Sequence, residues 1–147
     1  MHCGSVDIVR ATSIPEKESE MLNSMNRYAP HALSVLRIVA ALIFIAHGTQ
    51  KILGFPAPPA SGLPAMFTLY WGAGMIEIIG GLLVLVGFLT RPVAFILAGE
   101  MALAYWMGHA PRNFYPVLNG GDAAILYCFV FLYIFFAGPG AWSVDKR

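Results

Sequence analysis

Four stretches of this chain are apolar over lengths that reach or approach the thickness of a bilayer's hydrocarbon core. At ~1.5 Å rise per residue, roughly 20 helical residues cross that ~30 Å layer. The stretches run from about Ala32 to Leu53, Ala65 to Leu89, Pro92 to Gly108 and Asp122 to Ala137. Composition agrees. Of 147 residues, 58% are hydrophobic and 12% charged, about half the ~25% charge of a soluble domain. So few charges cannot cover a soluble globule, which leaves lipid as the solvent for much of the surface. The fold class this predicts is all-α, an integral membrane four-helix antiparallel bundle.

The connections are short and break helices. GFPAPPASGLP follows the first stretch, Thr90-Arg91-Pro92 links the second to the third, HAPRNFYPVLNGG leads to the fourth, and Gly138-Pro139-Gly140 ends it before the polar tail WSVDKR. Residues 1–31 are polar, carry the acidic patch Glu16, Glu18 and Glu20, and read as a flexible cytoplasmic leader. The first thirty residues lack the apolar core of a cleavable signal peptide. Met21 and Met25 are further candidate starts besides Met1. Residues 32–147 form the spanning domain.

Orientation follows from the basic residues. Arg10, Lys17, Arg27, Arg91, Lys146 and Arg147 would share one side, against Arg112 and Lys51 on the other. The positive-inside rule then places both termini in the cytoplasm. A net charge of +1 without basic clusters excludes a nucleic-acid partner. Cys3 and Cys128 show neither disulfide nor metal-ligand spacing, and there is no nucleophile elbow, phosphate loop or dinucleotide fingerprint. No Glu-x-x-His pair suggests a carboxylate-bridged metal centre, so no metal is expected.

The chemistry therefore rests on ionisable groups inside the apolar stretches, each costing roughly 2.5–3.5 kcal/mol at a helix centre on insertion scales. Depth sorts them. Glu77 and Glu100 fall near the midplane, with His47 on the order of 6 Å further out. Lys51, His109 and Asp122 form an outer layer, and Arg37 lies on the cytoplasmic side. Arg37, Phe44 and Lys51 recur every seven residues, and His47 stands four before Lys51, so they share a helix face. Ala73, Gly80 and Gly81 flank Glu77 on its own face and admit a close neighbouring helix.

Two carboxyls at one depth cannot both carry charge cheaply. One is expected to hold a proton unless Arg37 or His47 neutralises the pair. Glu77, Glu100, His47 and Arg37 are thus candidates for ligand contact or proton relay, and Lys51 and Asp122 form the most natural ion pair. The same groups also fit a purely structural role as interhelical hydrogen bonds that fix register, most readily Arg37 and the Lys51–Asp122 pair. Haem ligation by His47 and His109 is a weaker reading.

Several motifs together resemble the DoxX family of small bacterial membrane proteins. They are Arg37 and the HGTQKILGF run in the first stretch, EIIGGLLVLVGFLTRPVA in the second, and the tail GPGAWSVD, covering about Leu33 to Asp145. The leader departs from the family, whose members generally begin close to the first helix. The resemblance implies a multi-pass protein of the bacterial inner (plasma) membrane. Some members are associated with terminal quinol oxidation, others with membrane oxidoreductase assemblies that handle thiol or quinone stress. It assigns no catalytic residue.

Residues and resemblance together lead to a membrane subunit of a quinone- or thiol-stress-linked redox system, at most an accessory oxidoreductase subunit. It would bind a small apolar ligand such as a quinone, with no covalently bound cofactor, and would rely on a redox partner subunit. Homo-oligomerisation is compatible with this. A small proton-coupled transporter and a non-catalytic membrane scaffold are the alternatives.

Overall fold

The computed structural model describes residues 15–145, which are helical wherever they are regular. Helix α1 runs Glu16–Leu53 over 38 residues, with Glu16 and Glu18 in its first turn, where carboxylates favour the helix dipole. Gly54 ends it in the left-handed conformation (φ 68°), its amide donating to Gln50 O. This corrects part of the expected flexible leader: from Glu16 onward that stretch is the exposed first part of α1, and Pro30 lies within the helix. The rest of the leader, residues 1–14, lies outside the described residues.

Helix α2 spans Leu69–Val86, shorter at both ends than the apolar run. Thr68 Oγ1 caps its start by accepting from Trp71 N at 3.3 Å, and Gly87 (φ 72°) closes it. Helix α3 spans Thr90–Ala104 and continues as a π-helical turn, Tyr105–His109. Pro92 sits in its first turn, where a missing N–H costs nothing. A single turn, α4 (Pro116–Asn119), precedes α5 (Asp122–Ala137).

α1 and α2 are each long and apolar enough to cross a membrane, and α5 is a shorter apolar helix. Contacts fix how the helices run. The Gly74 Cα abuts Ile52 and Lys51, while Gly81, seven residues on, abuts Ile45, seven residues back, so α1 and α2 run in opposite senses. Gly80 meets Leu97 across α2 and α3, and Gly121 meets Tyr105 across α5 and the end of α3. The buried core is small: Phe44, Val84, Leu97, Met101, Phe131 and Ile134 are its larger members. Large apolar side chains instead point outward along every long helix, among them Val39, Leu42, Ile79, Leu82, Phe95, Ile96, Phe129 and Phe136. A soluble monomer rarely exposes so continuous an apolar surface, whereas a lipid-facing one requires it.

Candidate functional site

The buried polar residues divide into two groups at different levels. The first is built around Arg37, whose side chain is fully buried. Its Nε donates to Pro139 O at 2.8 Å and its Nη1 to Leu85 O at 2.6 Å, with further short bonds from Nη1 to Val84 O and from Nη2 to Trp142 O. Val84 and Leu85 belong to the last turn of α2, whose carbonyls have no partner within the helix, and a cation there also suits the dipole. The tail threads through the same place. Trp142 N donates to Ser34 Oγ, Ala141 N to Pro30 O, Val144 N to Val86 O and Asp145 N to Gly87 O. A methyl group on Gly87 would stand 2.6 Å from Ser143 Cβ and 2.9 Å from Arg37 Nη1, so this crossing tolerates glycine alone.

Asp145 completes the knot. Its Oδ1 accepts from Leu89 N at 2.9 Å and its Oδ2 from Thr90 N at 2.8 Å, capping α3 from a residue far away in sequence. Leu89 needs that hold because its backbone is left-handed (φ 50°). The amide of Thr90 above all, helped by the Thr90 hydroxyl, the amide of Leu89 and the Arg37 charge, keeps the Asp145 carboxyl below its ordinary range despite some opposing burial. Arg37, a candidate for ligand contact, is therefore tied to four carbonyls and faces no open site.

The second group lies mid-molecule. Lys51 Nζ donates to Glu77 Oε1 at 2.5 Å, the one salt bridge among the described residues, with Glu77 2% exposed and Lys51 15% exposed. The ammonium also stands 5.0 Å from the centroid of the Tyr70 ring. Gly48 permits the approach, since a methyl there would come within 3.0 Å of Glu77 Cβ and 2.9 Å of Gly74 O. The expected Lys51–Asp122 pair is thereby corrected. Asp122 is exposed at the start of α5, and α5 packs mainly on α3 and touches α1 only briefly. Matching depth put Lys51 and Asp122 in one layer without making their helices neighbours.

The contact of Gly80 with Leu97 sets the α2–α3 register. Three residues back along α2 and three on along α3 bring Glu77 level with Glu100. Both oxygens of Glu100 and Oε2 of Glu77 are buried without a hydrogen-bond partner, and Glu100 lies within Coulombic reach of Glu77 and Lys51. Tyr127 of α5 joins this level: its ring packs 5.3 Å from Phe44 and 6.1 Å from His47, and it lies within Coulombic reach of Glu77. His47 is on the exposed side of this group. The structure thus gathers Lys51, Glu77 and Glu100 with His47 at the edge, and separates Arg37 and Asp122 from them. His109 is held elsewhere, its Nδ1 3.0 Å from Asn119 O.

Two participants escape a reading of the sequence. Tyr127 sits in a helix apolar on every side, so periodicity gives its hydroxyl no direction. Asp145 lies in a polar tail where a carboxylate draws no notice. Only its family-like GPGAWSVD context marks it.

Comparison with known proteins places this geometry. The family model described as DoxX matches residues 32–110, which carry Arg37, Lys51, Glu77 and Glu100. The chain belongs to the DoxX family. A Haemophilus influenzae protein is 43% identical over 130 residues, covering 86% of this chain and 97% of its own length. Two Escherichia coli relatives are named inner membrane proteins. YqjF is 34% identical over 125 residues, covering 76% of this chain and 88% of its own, and YphA is 30% identical over 134 residues, covering 80% and 91%. No solved structure matches the chain. It is a DoxX-family membrane protein in contact with the lipid bilayer.

Proposed function

We propose that this DoxX-family protein is a membrane subunit of a redox system, in which Lys51, Glu77 and Glu100 exchange protons with a quinone-like molecule lodged among the helices. The carrying observation is that three of the four oxygens of Glu77 and Glu100 are buried without a partner. An unpaired polar atom in apolar surroundings costs a few kcal/mol. Such an oxygen is satisfied by a proton, a water or a polar ligand, and a small apolar ligand with a hydroxyl or carbonyl supplies the last. A centre made only for register would close its hydrogen bonds, as the Arg37 knot does.

In this reading Glu77, ionised opposite Lys51, accepts one of the two protons released when a quinol is oxidised. Glu100 holds a proton at rest, passes it outward and takes the second in its place. His47 and Tyr127 line the way outward. The two electrons pass to a partner subunit. The family's association with quinol oxidation and with thiol or quinone stress favours this substrate class.

The reading includes four crossings of the inner membrane by α1, α2, α3 with its π turn, and α5, within a domain of residues 32–147. Arg91 and the tail would face the cytoplasm with both termini, and the exposed start of α1 would extend beyond the bilayer on that side.

The test uses purified protein in lipid nanodiscs and cells under quinone stress. Wild type should bind a quinone analogue, and Glu77→Gln and Glu100→Gln should each abolish protection of the cells. Absence of quinone binding, together with full protection by both variants, sinks the reading. A pH-gradient-driven solute flux in proteoliposomes would replace it with proton-coupled transport. A fixed protein partner that co-purifies while no ligand binds would replace it with a scaffold.

A further inference from the structure

At the tail end, one turn from the Arg37 knot, the helices border an open cleft of about 840 Å³ that the mid-molecule centre does not use. Thr90 on its wall lies ten residues before Glu100 on α3, roughly 15 Å along the helix. The volume falls in the range of about 300–1,000 Å³ usual for small-molecule sites. Leu33 of α1, Pro92 of α3 and Tyr133 of α5 give it apolar walls. It opens beside Tyr133, which is 57% exposed on the surface that faces lipid.

Thr90, Arg91 and Asp145 are, with Asn26, among the polar residues that line it. Thr90 is completely buried, and its Oγ1 makes no hydrogen bond of ordinary geometry, although the hydroxyl lies close enough to the Asp145 carboxylate to favour its charged form. Arg91 donates from Nη1 to Phe135 O at 2.8 Å and to Phe136 O at 2.9 Å. Those bonds anchor the guanidinium at the end of α5 and leave Nε and Nη2 without a partner among the described residues. Asp145 spends one lone pair of each oxygen on the amides of Leu89 and Thr90, and each oxygen keeps acceptor capacity. A cation, a hydroxyl and an anion thus line the same apolar cleft.

We propose that this cleft holds one aminophospholipid, its phosphate between the Thr90 hydroxyl and the Arg91 guanidinium, its ammonium at Asp145, and an acyl chain along Leu33 and Tyr133. A planar guanidinium suits a phosphate's paired oxygens. A headgroup with phosphate alone would face the Asp145 carboxylate uncompensated, and an uncharged quinone ring would leave both charges unanswered. The zwitterionic head answers each of the three groups. The lipid would pin the ends of α1, α3 and α5 where α1 and α5 scarcely touch, and this role is independent of the redox reading.

Native mass spectrometry of the full chain, released from vesicles of equal phosphatidylethanolamine and phosphatidylglycerol, tests it. Wild type should retain one phosphatidylethanolamine in preference to phosphatidylglycerol. Thr90→Val keeps the shape and removes a hydroxyl that makes no well-formed hydrogen bond in the protein, so it should unfold within a few degrees of the wild-type temperature. Its lipid retention should fall about tenfold, the loss expected of one charge-assisted hydrogen bond. Arg91→Gln should lower retention at least as far, and Glu100→Gln should not alter it. Free phosphoethanolamine at the lipid's concentration should fail to displace it. Equal retention of the two lipids, undiminished retention by Thr90→Val, or displacement by free phosphoethanolamine would each overturn the assignment.

Discussion

Arg37 and Glu100 are both ionisable groups placed inside an apolar helical protein, and their surroundings are opposites. Arg37 makes four hydrogen bonds to carbonyls of α2 and of the tail. Glu100 makes none through either oxygen. The first arrangement is how a buried charge becomes structure, because each donor closes a carbonyl that lipid could not satisfy. The second is a standing cost that only another molecule or a proton relieves. Burial of a charge in lipid therefore does not identify function by itself; an unmet hydrogen-bonding capacity separates the two cases.

The contrast breaks most easily at Arg37. Arg37→Met should strand three carbonyls, those of Leu85, Pro139 and Trp142, since Val84 O keeps Gly87 N, and destabilise the protein by about 3–5 kcal/mol, read as denaturant unfolding in mild detergent. A loss below about 1 kcal/mol would show that the knot is not what joins the tail to α1 and α2. Glu77→Gln comes next. It leaves the Lys51 ammonium without its anion and should cost roughly 2–3 kcal/mol, while the pair Lys51→Met with Glu77→Leu should recover most of that stability. Failure of the double substitution to recover it would show that Glu77 carries stability beyond the ion pair.

The sequence exposes the inward face of α1 but not its partners. Arg37, Phe44 and Lys51 do share a face, and all three meet protein, yet their targets are the tail, the α5 aromatics and Glu77 respectively. Spacing along one helix fixes direction, whereas the choice between Glu77 and Asp122 depends on which helix lies alongside, and glycines set that. Gly48 and Gly74 bring α1 against α2. The end of α5 at Ala137 was legible because Gly138-Pro139-Gly140 cannot continue a helix. The start of α1 was not, because the apolar positions Met21, Leu22, Met25 and Tyr28 stand among charged and polar residues and Pro30 reads as a boundary, although a proline inside a long helix can be tolerated. Tyr127 was hidden because a helix apolar on every side gives its hydroxyl no direction, and the Thr90 hydroxyl because an incomplete hydrogen bond leaves no pattern in a sequence.

Two smaller effects sharpen the comparison. Asp145 titrates below an ordinary carboxyl because α3 amides bind its charged form. Its contribution to stability is therefore complete above the unfolded value near ~3.9 and is lost as pH falls through the lower folded value. Asp145→Asn should lower stability at neutral pH and flatten the acid limb of a stability–pH curve, and an unchanged acid limb would show that the α3 cap is not electrostatic. The smallest change in stability belongs to Glu100→Gln, expected within about 0.5 kcal/mol of wild type because no hydrogen bond is lost. It is also the variant that should remove function most cleanly.

Infrared difference spectroscopy of the protein in lipid bilayers, recorded as a quinol analogue is added, puts the unpaired carboxyl to the sharpest trial. Wild type should show a carboxyl band that changes on addition, and Glu100→Gln, though folded to the same stability, should lack it. Identical spectra from the two proteins would mean that Glu100 meets no ligand and exchanges no proton, and the distinction between the two buried polar groups would fail.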